Sequence, residues 1–530
     1  MRRTHLALLL ALALGLAGPA APARAQSTAA LLDTLQHSSF LFFWNEVNPA
    51  NGLIRDRNAP GSTFSSIAAV GFGLSAIPIG IDHGWITRAQ GRSRVSTTLR
   101  TFYNGPQGTN ALGTIGYKGF FYHFLDMNTA TRYDTNVELS TIDTALLFAG
   151  MLDARQYFDN VSDTTEIAIR AMADSIYQRA DFNFMRNFNT GIMMGWKPSF
   201  GFFGFGQWIG YNEAMILYLL ALGSPSYAVP TSAWGAWTSG YHYDTLYGYS
   251  FVTCPPLFTH QYSHCWVDFR KIADAYMRLK GHDYFENSRR ATLAQRNYCI
   301  ANPGGWVAYS DSLWGLTAGD GPTGYTARGA PPAQNDDGTI TPTAAISSIV
   351  FTPDQSIGFI HYMWDHLRAS VWGPYGWKDG FNATRGWIGT DVIGIDQGPI
   401  LIMIENYLTG KTWQRFMTMP AIQTGLARAD FQPFDLAVGP PVAGPLALGR
   451  VTPNPVRGSS RVSFTLAKAG RMELALVDLQ GRTVRRLAAG TFDAGEHSLP
   501  VERGGLAAGI YWLRLESGGE VRHTRFAVLP

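Results

Sequence analysis

Apolar residues recur with helical spacing through most of the chain, and the segments they mark are of two kinds. In the first kind nearly every position is apolar or small, which is typical of a helix buried on all sides. These segments are 65–79, 140–156, 212–222, 261–276, 354–367 and 397–408. In the second kind charges follow one face, which predicts a half-buried helix. These segments are 31–46, 87–102, 164–180, 284–300 and 412–426.

The two kinds of helix largely alternate along the chain, which predicts an inner ring of buried helices wrapped by an outer ring. We therefore predict an all-α (α/α)6 barrel, or toroid, as a catalytic domain over residues 26–434. Two outer positions are poorly defined, because 231–240 gives a weak pattern and no outer helix is evident before 397. Residues 303–353 have no period, and we predict an ordered loop at the rim of a cleft.

A different pattern follows a segment rich in Pro and Gly, residues 435–449, which is typical of a linker. From residue 450 to 530 apolar and polar residues alternate with period two between turn signals, which predicts short antiparallel strands. We expect a small all-β, immunoglobulin-like sandwich. Trp512 lies in one of these strands, and we assign its side chain to the core.

The first 25 residues have the pattern of a secretory signal peptide: Arg2 and Arg3, an apolar run, and an Ala-x-Ala motif ending at Ala25. No later segment is apolar over the length needed to span a bilayer. We therefore expect a soluble protein that is secreted, periplasmic or attached to the cell surface. The three cysteines are too few for a disulfide scaffold; Cys254 and Cys265 could pair, but the sequence does not decide it.

The chain has 42 Lys and Arg against 39 Asp and Glu, but the basic excess lies in its two ends. The body between them is mildly acidic, which argues against nucleic acid and anionic membranes as partners. Its many Trp and Tyr residues suit both a large core and stacking on sugar rings.

Acidic residues stand at or near the start of several predicted buried helices: Asp143, Glu213, Asp354 and Asp396. Glu138 lies just ahead of Asp143, and Asp391 just ahead of Asp396. Helix capping explains any one of them. In a ring of parallel inner helices, however, all would converge on one pocket. Paired carboxylates in a sugar-sized cleft are the minimum equipment for glycoside hydrolysis, and burial of one keeps it protonated as the acid.

Competing motifs are weaker. The sequence GFGLSA at residues 71–76 matches the letters of a dinucleotide-binding fingerprint. No predicted strand precedes it and it lies inside an apolar helix, so we reject a dinucleotide site there. His260 and His264 are one helical turn apart, a spacing that can hold a metal. Further acidic ligands at matching positions are lacking apart from Asp268, so sugar hydrogen bonding is favoured. We expect no metal and no cofactor.

The motifs ELSTIDTALLFAG, GYNEAMILYLLALGSPSY, PPLFTHQYSHCWVDFR, GLTAGDGPTGY and GWIGTDVIGIDQGPILIMIENY, spread from about residue 31 to 426, resemble the bacterial glucoamylase-like family that includes endo-β-1,2-glucanases (glycoside hydrolase family 144). The resemblance implies an (α/α)6 barrel that cleaves β-1,2-glucan with inversion. Glu213 matches the family's proposed acid and Asp396 the base side, while Glu138 and Asp143 match its other essential acids.

We accordingly assign Glu213, Asp396 and Asp143 to catalysis. The candidate substrate-binding residues are Glu138, Trp208, Tyr211, His260, Gln261, Tyr262 and Asp391. The leading hypothesis is a secreted, monomeric, inverting endo-hydrolase that releases sophoro-oligosaccharides from β-1,2-glucan. Open alternatives are an exo-acting hydrolase that releases sophorose, a phosphorylase of the same fold, and a non-catalytic surface glycan-binding protein.

The tail contains the motifs NPVRGSSRVSFTL, VDLQGRTVRRL, AGEHSL and LAAGIYWLRL. It is similar to the C-terminal sorting domains of proteins exported by the type IX system and to the FlgD-type immunoglobulin-like module. The resemblance implies that the secretion machinery is a partner. A carbohydrate-binding sandwich is the alternative.

Overall fold

The computed structural model describes residues 26–434, 446–478, 480–493 and 495–529. The predicted signal peptide and most of the predicted linker lie outside these residues. The helices are α1 Thr28–Asn45, α2 Ile67–Asp82, α3 Arg88–Asn104, α4 Thr141–Tyr157, α5 Thr164–Gln178, α6 Met215–Gly223, α7 Ser232–Thr238, α8 Ala275–Lys280, α9 Tyr284–Ala301, α10 Pro342–Ile346, α11 Pro353–His366, α12 Arg368–Val371, α13 Gly394–Leu408, α14 Lys411–Phe416 and α15 Pro420–Arg428.

Short strand pairs connect the helices of the first part of the chain, and longer strands build the tail. The short strands are β1 Phe64–Ser66, β2 Gly116–Tyr117, β3 Phe120–Phe121, β4 Phe124–Asp126, β5 Leu139–Ser140, β6 Gly195–Trp196, β7 Tyr243–Leu246, β8 Tyr249–Val252, β9 Ile272–Ala273, β10 Ala318–Gly319, β11 Thr326–Ala327, β12 Trp372–Gly373, β13 Gly376–Trp377, β14 Phe381–Asn382, β15 Trp387–Ile388 and β16 Gln432–Pro433. The tail has β17 Ala447–Leu448, β18 Ser459–Leu466, β19 Gly470–Val477, β20 Thr483–Phe492, β21 Gly495–Glu502, β22 Gly509–Ser517 and β23 Glu520–Val528.

The division into buried and half-buried helices is confirmed for most of the chain. Helices α2, α4, α6 and α13 are buried on nearly every face, and α2 packs against both α4 and α13. Helices α1, α3 and α5 have one buried face and pack on the outside of this group. The apolar period therefore sorts inner from outer helices because only the inner ones have protein on all sides.

The prediction of a buried helix over 261–276 is wrong. Residue 261 lies between two short 3-10 turns, Leu257–His260 and Ser263–Cys265. The segment then continues through β9 into the first residues of α8. Lys271 has a φ of 59°, a left-handed conformation that interrupts an α-helix. The Ser263 hydroxyl also accepts from the Ile216 N–H and donates to the Glu213 carbonyl, so it contacts the start of α6.

The assignment of 354–367 to a buried helix is also corrected. Helix α11 buries only four residues along one face, so it is a half-buried helix, and Asp354 at its start is exposed. The fully buried helix in this region is α10, which lies inside the predicted loop 303–353. At five residues it is too short to produce a helical period. Helix α11 is therefore the outer helix before residue 397 that could not be identified from the sequence.

Two amphipathic segments differ from the predicted ones in length. The weak pattern at 231–240 does form a short helix, α7. The segment 412–426 is divided into α14 and α15, and Pro420 begins the second of them. A proline is tolerated in the first turn of a helix but not in its interior, so it sets this boundary.

Gly71, part of the rejected GFGLSA motif, is explained by helix packing. A Cβ atom at Gly150 in α4 would overlap the backbone of Gly71 in α2, and one at Gly71 would overlap the backbone of Leu146. The two helices thus touch through their backbones, and the glycines serve this close approach.

Replacing Gly150 by Ala is expected to lower the free energy of unfolding by about 2–3 kcal/mol, because the added methyl forces α2 and α4 apart. The matched control is Gly358→Ala in the exposed face of α11, where a Cβ atom meets no neighbour within 4 Å. This change should instead raise stability by up to about 1 kcal/mol. Denaturant unfolding of both variants measures the difference. Equal effects would mean that α2 and α4 do not meet at these glycines.

The tail forms two antiparallel sheets, ordered β17-β18-β21 and β20-β19-β22-β23, with a core of its own between them. The assignment of Trp512 to this core is wrong, since its side chain is 36 % exposed. Leu513 and Leu515, which are buried, point to the opposite face of β22 from Trp512. The predicted alternation of buried and exposed residues along this strand is present, but the buried positions are Leu513 and Leu515 and not Trp512.

Cys254, Cys265 and Cys299 are all free thiols, so the pairing of the first two that the sequence left open does not occur. Within the described ranges, no helix has both the length and the apolar character that a bilayer span requires.

Candidate active site

The first group of candidate residues surrounds His123, which precedes β4. Glu138 lies just before β5, and Asp143 lies in the first turn of α4, whose N-cap is Ser140. The His123 ring contacts Glu138 through Nδ1 at 2.9 Å and Asp143 through Nε2 at 3.4 Å. The Ser140 hydroxyl accepts from the Asp143 N–H and donates to its carboxylate. Asp143 is therefore held both by the helix cap and by an ion pair with His123, whereas Glu138 has the ion pair alone.

The charges in this group reinforce one another. Burial alone would lower the pKa of His123, but the carboxylates of Asp143 and Glu138 raise it to about 9. Burial opposes ionisation of Glu138 as well, yet the hydrogen bond from His123 holds the pKa of Glu138 below its usual value. At neutral pH His123 is therefore an imidazolium, and it lies between the side chains of Glu138 and Asp143.

Glu213 is held by the chain that leads into α6. The Trp208 indole donates to the Thr141 hydroxyl at 3.0 Å, which ties this chain to the start of α4. The Tyr218 hydroxyl, one turn inside α6, donates to the Trp208 carbonyl. Glu213 as a residue is half-buried, but its carboxyl is surrounded by protein. This burial raises the pKa of the carboxyl to about 7, with the charge of Asp143 acting in the same direction. Its acid form therefore persists near neutrality.

A third group is a pair of buried carboxyls, Asp379 between β13 and β14 and Asp396 in the first turn of α13. Burial raises the pKa of both, and the hydrogen bond between them raises that of Asp396 and opposes the rise for Asp379. The Asp320 N–H also donates to Asp379, at 2.6 Å. The two carboxyls therefore hold protons more tightly than isolated aspartates do and titrate as a coupled pair.

Arg57 lies beside this pair and contacts three further acids. Its guanidinium is 3.1 Å from Asp56, 2.9 Å from Asp320 and 3.4 Å from Asp391. Burial alone would lower the pKa of Arg57, but these carboxylates raise it. The cation therefore stays charged and neutralises much of the acid density around the pair.

Two tyrosines link the groups. Tyr262 is buried, which raises its pKa, and the charges of Asp396 and Glu213 raise it further, so the ring lies close to both acids. Its hydroxyl donates to the Ile395 carbonyl at 3.1 Å. Burial and then the charges of Asp396 and Asp379 likewise raise the pKa of the Tyr325 hydroxyl, although the residue is 49 % exposed. Tyr325 thus reaches from the surface toward the buried pair.

These contacts join the acids into one region, which we call the acid site: Asp56, Glu138, Asp143, Glu213, Asp320, Asp379, Asp391 and Asp396. Asp354 is not part of it, because it begins the outer helix α11 and no contact joins it to the others in the described chain. Among the described residues, no group of three or more His, Cys, Asp or Glu side chains is placed to hold a metal ion.

Three other candidate binding residues, Tyr211, His260 and Gln261, are buried. Tyr211 packs in an aromatic cluster, with its ring 4.7 Å from that of His260. His260 is fully buried, and burial lowers its pKa to about 3, so the ring is neutral. The Gln261 amide donates to Ala344 and Ser348 in the buried helix region. Burial does not favour direct sugar contact for His260 or Gln261.

Six residues of the site were not predicted from the sequence: Asp56, Arg57, His123, Asp320, Tyr325 and Asp379. They lie in short strands and turns, where no helical period marks a position. Asp320 and Tyr325 do occur in the motif GLTAGDGPTGY, which carries part of the family resemblance, so that motif was the available signal.

Comparison with known proteins places this fold in a class. Residues 206–420 match the family model described as "Putative glucoamylase", and residues 450–528 match the secretion system C-terminal sorting domain. The structure resembles an endo-β-1,2-glucanase of Chitinophaga pinensis in complex with sophorotriose and glucose, with 30 % identity and a TM-score of 0.71. That match covers 77 % of this chain and 99 % of the other.

The chain therefore belongs to the glucoamylase-like family and carries a C-terminal sorting domain, which indicates export from the cell. It is 31 % identical over 432 residues to an exo β-1,2-glucooligosaccharide sophorohydrolase of Parabacteroides distasonis. That match covers 75 % of this chain, which spans 57 % of the relative's length. A β-1,2-glucanase structure from the same organism is 29 % identical with a TM-score of 0.70, over 76 % of this chain and 60 % of that one.

Proposed function

We propose that the protein is an exported glycoside hydrolase that cleaves β-1,2-glucan with inversion and releases sophoro-oligosaccharides. The helices would close as an (α/α)6 barrel around the acid site, and the tail would be an immunoglobulin-like sandwich. The three relatives above, named as hydrolases of this glucan or its oligosaccharides, support the substrate. The two interleaved sets of buried and half-buried helices support the barrel.

One observation carries the reaction type: a carboxyl with a pKa of about 7, Glu213, shares a site with a buried pair of coupled carboxyls, Asp379 and Asp396. Glycoside hydrolysis requires one protonated and one ionised carboxyl group. We assign Glu213 as the general acid that protonates the oxygen of the leaving sugar.

We assign the pair Asp379–Asp396 to the base side of the reaction. Burial and their mutual contact raise the pKa of both carboxyls, so the pair can take up a proton as a unit. When it accepts a proton from the attacking side, the pair gains one proton overall. Tyr262, close to both Asp396 and Glu213, would form part of the cleft floor between acid and base.

The remaining acids would orient the substrate and tune Glu213. Asp143 raises the pKa of Glu213, and its carboxylate lies 3.4 Å from the His123 ring. Glu138, Asp391 and Trp208 would hydrogen-bond or stack against sugars near this point. Arg57 is already paired with three carboxylates, which favours attack by water over attack by phosphate and thus a hydrolase over a phosphorylase.

The test is incubation of the mature protein with β-1,2-, β-1,3-, β-1,4- and α-1,4-glucans, followed by chromatography of the products. Cleavage of β-1,2-glucan alone is expected, and the first product should be the α-anomer by NMR, as inversion requires. A ladder of oligosaccharides indicates endo action, whereas sophorose alone indicates the exo alternative that the Parabacteroides relative suggests. Binding of β-1,2-glucan without cleavage would favour the glycan-binding alternative, and cleavage of another glucan would refute the substrate.

We also propose the division into a catalytic domain 26–434, a linker 435–449 and a sorting domain 450–530, with the protein active as a monomer. A chain ending at residue 448 is expected to keep at least about half of the full-length kcat/KM, because the tail has its own core. The same truncation should leave the protein inside the cell envelope. Activity assays, size exclusion and cell fractionation measure these outcomes. Loss of folding or activity on truncation would contradict the division.

A further inference from the structure

Exposed phenylalanines are confined to one part of the described chain. Phe188 is fully exposed, and Phe200 and Phe203 are 67 % and 84 % exposed, whereas the other phenylalanines of the described residues are buried or half-buried. Met194 and Ile209 are exposed in the same stretch. Holding large apolar side chains in water is unfavourable, and such patches usually mark a binding surface.

The loop that carries Phe200 and Phe203 is ordered by its own hydrogen bonds. Lys197 and Gly201 exchange two backbone hydrogen bonds, at 2.7 and 2.9 Å, which close a turn below Phe200. The Met194 N–H donates to the Gly206 carbonyl at 2.8 Å and closes the base of the loop. We call residues 197–206 the aromatic loop. Its rings are therefore displayed by a fixed turn rather than by a loose chain.

The aromatic loop adjoins the acid site at both of its ends. On one side it follows β6, which pairs with β5, and β5 directly follows Glu138. Burial opposes ionisation of Glu138, but the charge of Lys197 is among those that lower its pKa, so the loop's first residue is near that carboxylate. On the other side the chain continues through Trp208 to Glu213.

We propose that the aromatic loop is an outer binding surface for the glucan chain, at which Phe200 and Phe203 stack on glucose units beyond those at the point of cleavage. The proposal rests on the proposed function. Glucose rings present C–H faces that pack on aromatic rings, and aromatic side chains commonly line sugar-sized sites. The continuity with the acid site and the net negative charge of that site favour a neutral polysaccharide over an anionic membrane as the occupant.

A surface outside the cleavage point affects only chains long enough to reach it. The double change Phe200→Ala, Phe203→Ala should raise KM for polymeric β-1,2-glucan about tenfold and leave kcat within twofold. It should leave kcat/KM for the shortest oligosaccharide that is cleaved unchanged. The control is Val161→Ala, an equally exposed apolar residue at 79 % exposure, beyond the opposite end of α4. Helix α4 is about 25 Å long, so Val161 is remote from the acid site.

An unchanged KM for the polymer, or an equal loss on long and short substrates, would overturn the proposal. Affinity electrophoresis in gels containing β-1,2-glucan, with anionic lipid vesicles as a second probe, separates the possible occupants. The proposal is supported if the glucan retards the wild-type protein but not the double variant. It is overturned if the glucan retards neither protein and the wild type, but not the double variant, binds the vesicles. If the wild-type protein cleaves no β-1,2-glucan, the proposed function fails, and retardation in gels of the other glucans still decides whether the loop binds a polysaccharide.

Discussion

Replacing Glu213 by Gln is expected to lower kcat on β-1,2-glucan by about a thousandfold while KM changes by no more than a few-fold. Glutamine keeps the size and hydrogen-bonding capacity of the side chain but has no proton to give to the leaving oxygen. General acid catalysis contributes about 10²- to 10⁴-fold in enzymes. The half-buried position of Glu213 allows the exchange without loss of packing.

A substrate with an activated leaving group separates this role from a structural one. Because such a group departs without protonation, the Glu213→Gln variant should lose less than about tenfold on it. Glu286→Gln is the matched control, since Glu286 lies in the first turn of the outer helix α9 and pairs with Arg289 and Arg290. It should leave kcat unchanged. Equal losses on natural and activated substrates would show that Glu213 holds the substrate rather than donating a proton.

The pH profile provides a second measurement of the same assignment. The pKa of Glu213 is raised to about 7, so the acid form predominates below pH 7 and is lost above it. In the wild-type protein kcat should therefore fall about tenfold for each unit of pH above about 7. The Glu213→Gln variant should lack this alkaline limb. An alkaline limb of unchanged position in the variant would assign the acid to another carboxyl.

Replacing Asp396 by Asn is expected to lower kcat by at least about a hundredfold and, at the same time, to make the protein more stable at pH 8. An amide cannot pass a proton to Asp379, so the base side of the reaction is lost. The stability gain arises because the raised pKa of the buried pair makes the folded state retain a proton that the unfolded state releases. Stability and activity then change in opposite directions, as is common at functional sites.

The sign of the pH dependence follows from proton counts. Between the usual aspartate pKa near 4 and the raised pKa of the pair, the folded state binds more protons than the unfolded one, so unfolding free energy falls as pH rises. Asp396→Asn removes much of this decline, and the difference in Tm between variant and wild type should grow from pH 5 to pH 8. Asp354→Asn, an exposed aspartate at the start of α11, is the control and should give no such growth. A difference independent of pH would mean that the pair does not share a proton.

Asp143 and Asp396 illustrate which part of the site the sequence could predict. Both stand in the first turn of a helix that is buried on nearly every face, so the apolar period that locates α4 and α13 also locates the acids. Glu213 lies just before α6 in the same way. Asp354 shows the limit of this reasoning. It also precedes an apolar segment, but only one face of α11 is buried, and the residue is exposed.

Asp379, Asp320 and Arg57 could not be located in this way. They lie in turns and short strands far apart in the chain, and only the folded arrangement brings Arg57 within 3.4 Å of both Asp320 and Asp391. The sequence likewise predicted Asp396 as a single base. The structure adds Asp379 beside it, and this neighbour decides the protonation of Asp396, since the pKa of a buried carboxyl depends on the charges next to it.

The sequence by itself determined the helical character of the body, the strands of the tail, most inner and outer helices and the acids at the starts of α4, α6 and α13, because these depend on local periodicity and capping. Tertiary structure alone decided that residues 257–276 form short turns and a strand instead of a buried helix, and that Trp512 lies on the exposed face of its strand. It also decided that Asp354 lies outside the site and that Arg57, His123 and Asp379 belong to it. These features depend on which distant residues meet, on how deeply they are buried and on the resulting charge interactions, and no local pattern records those contacts.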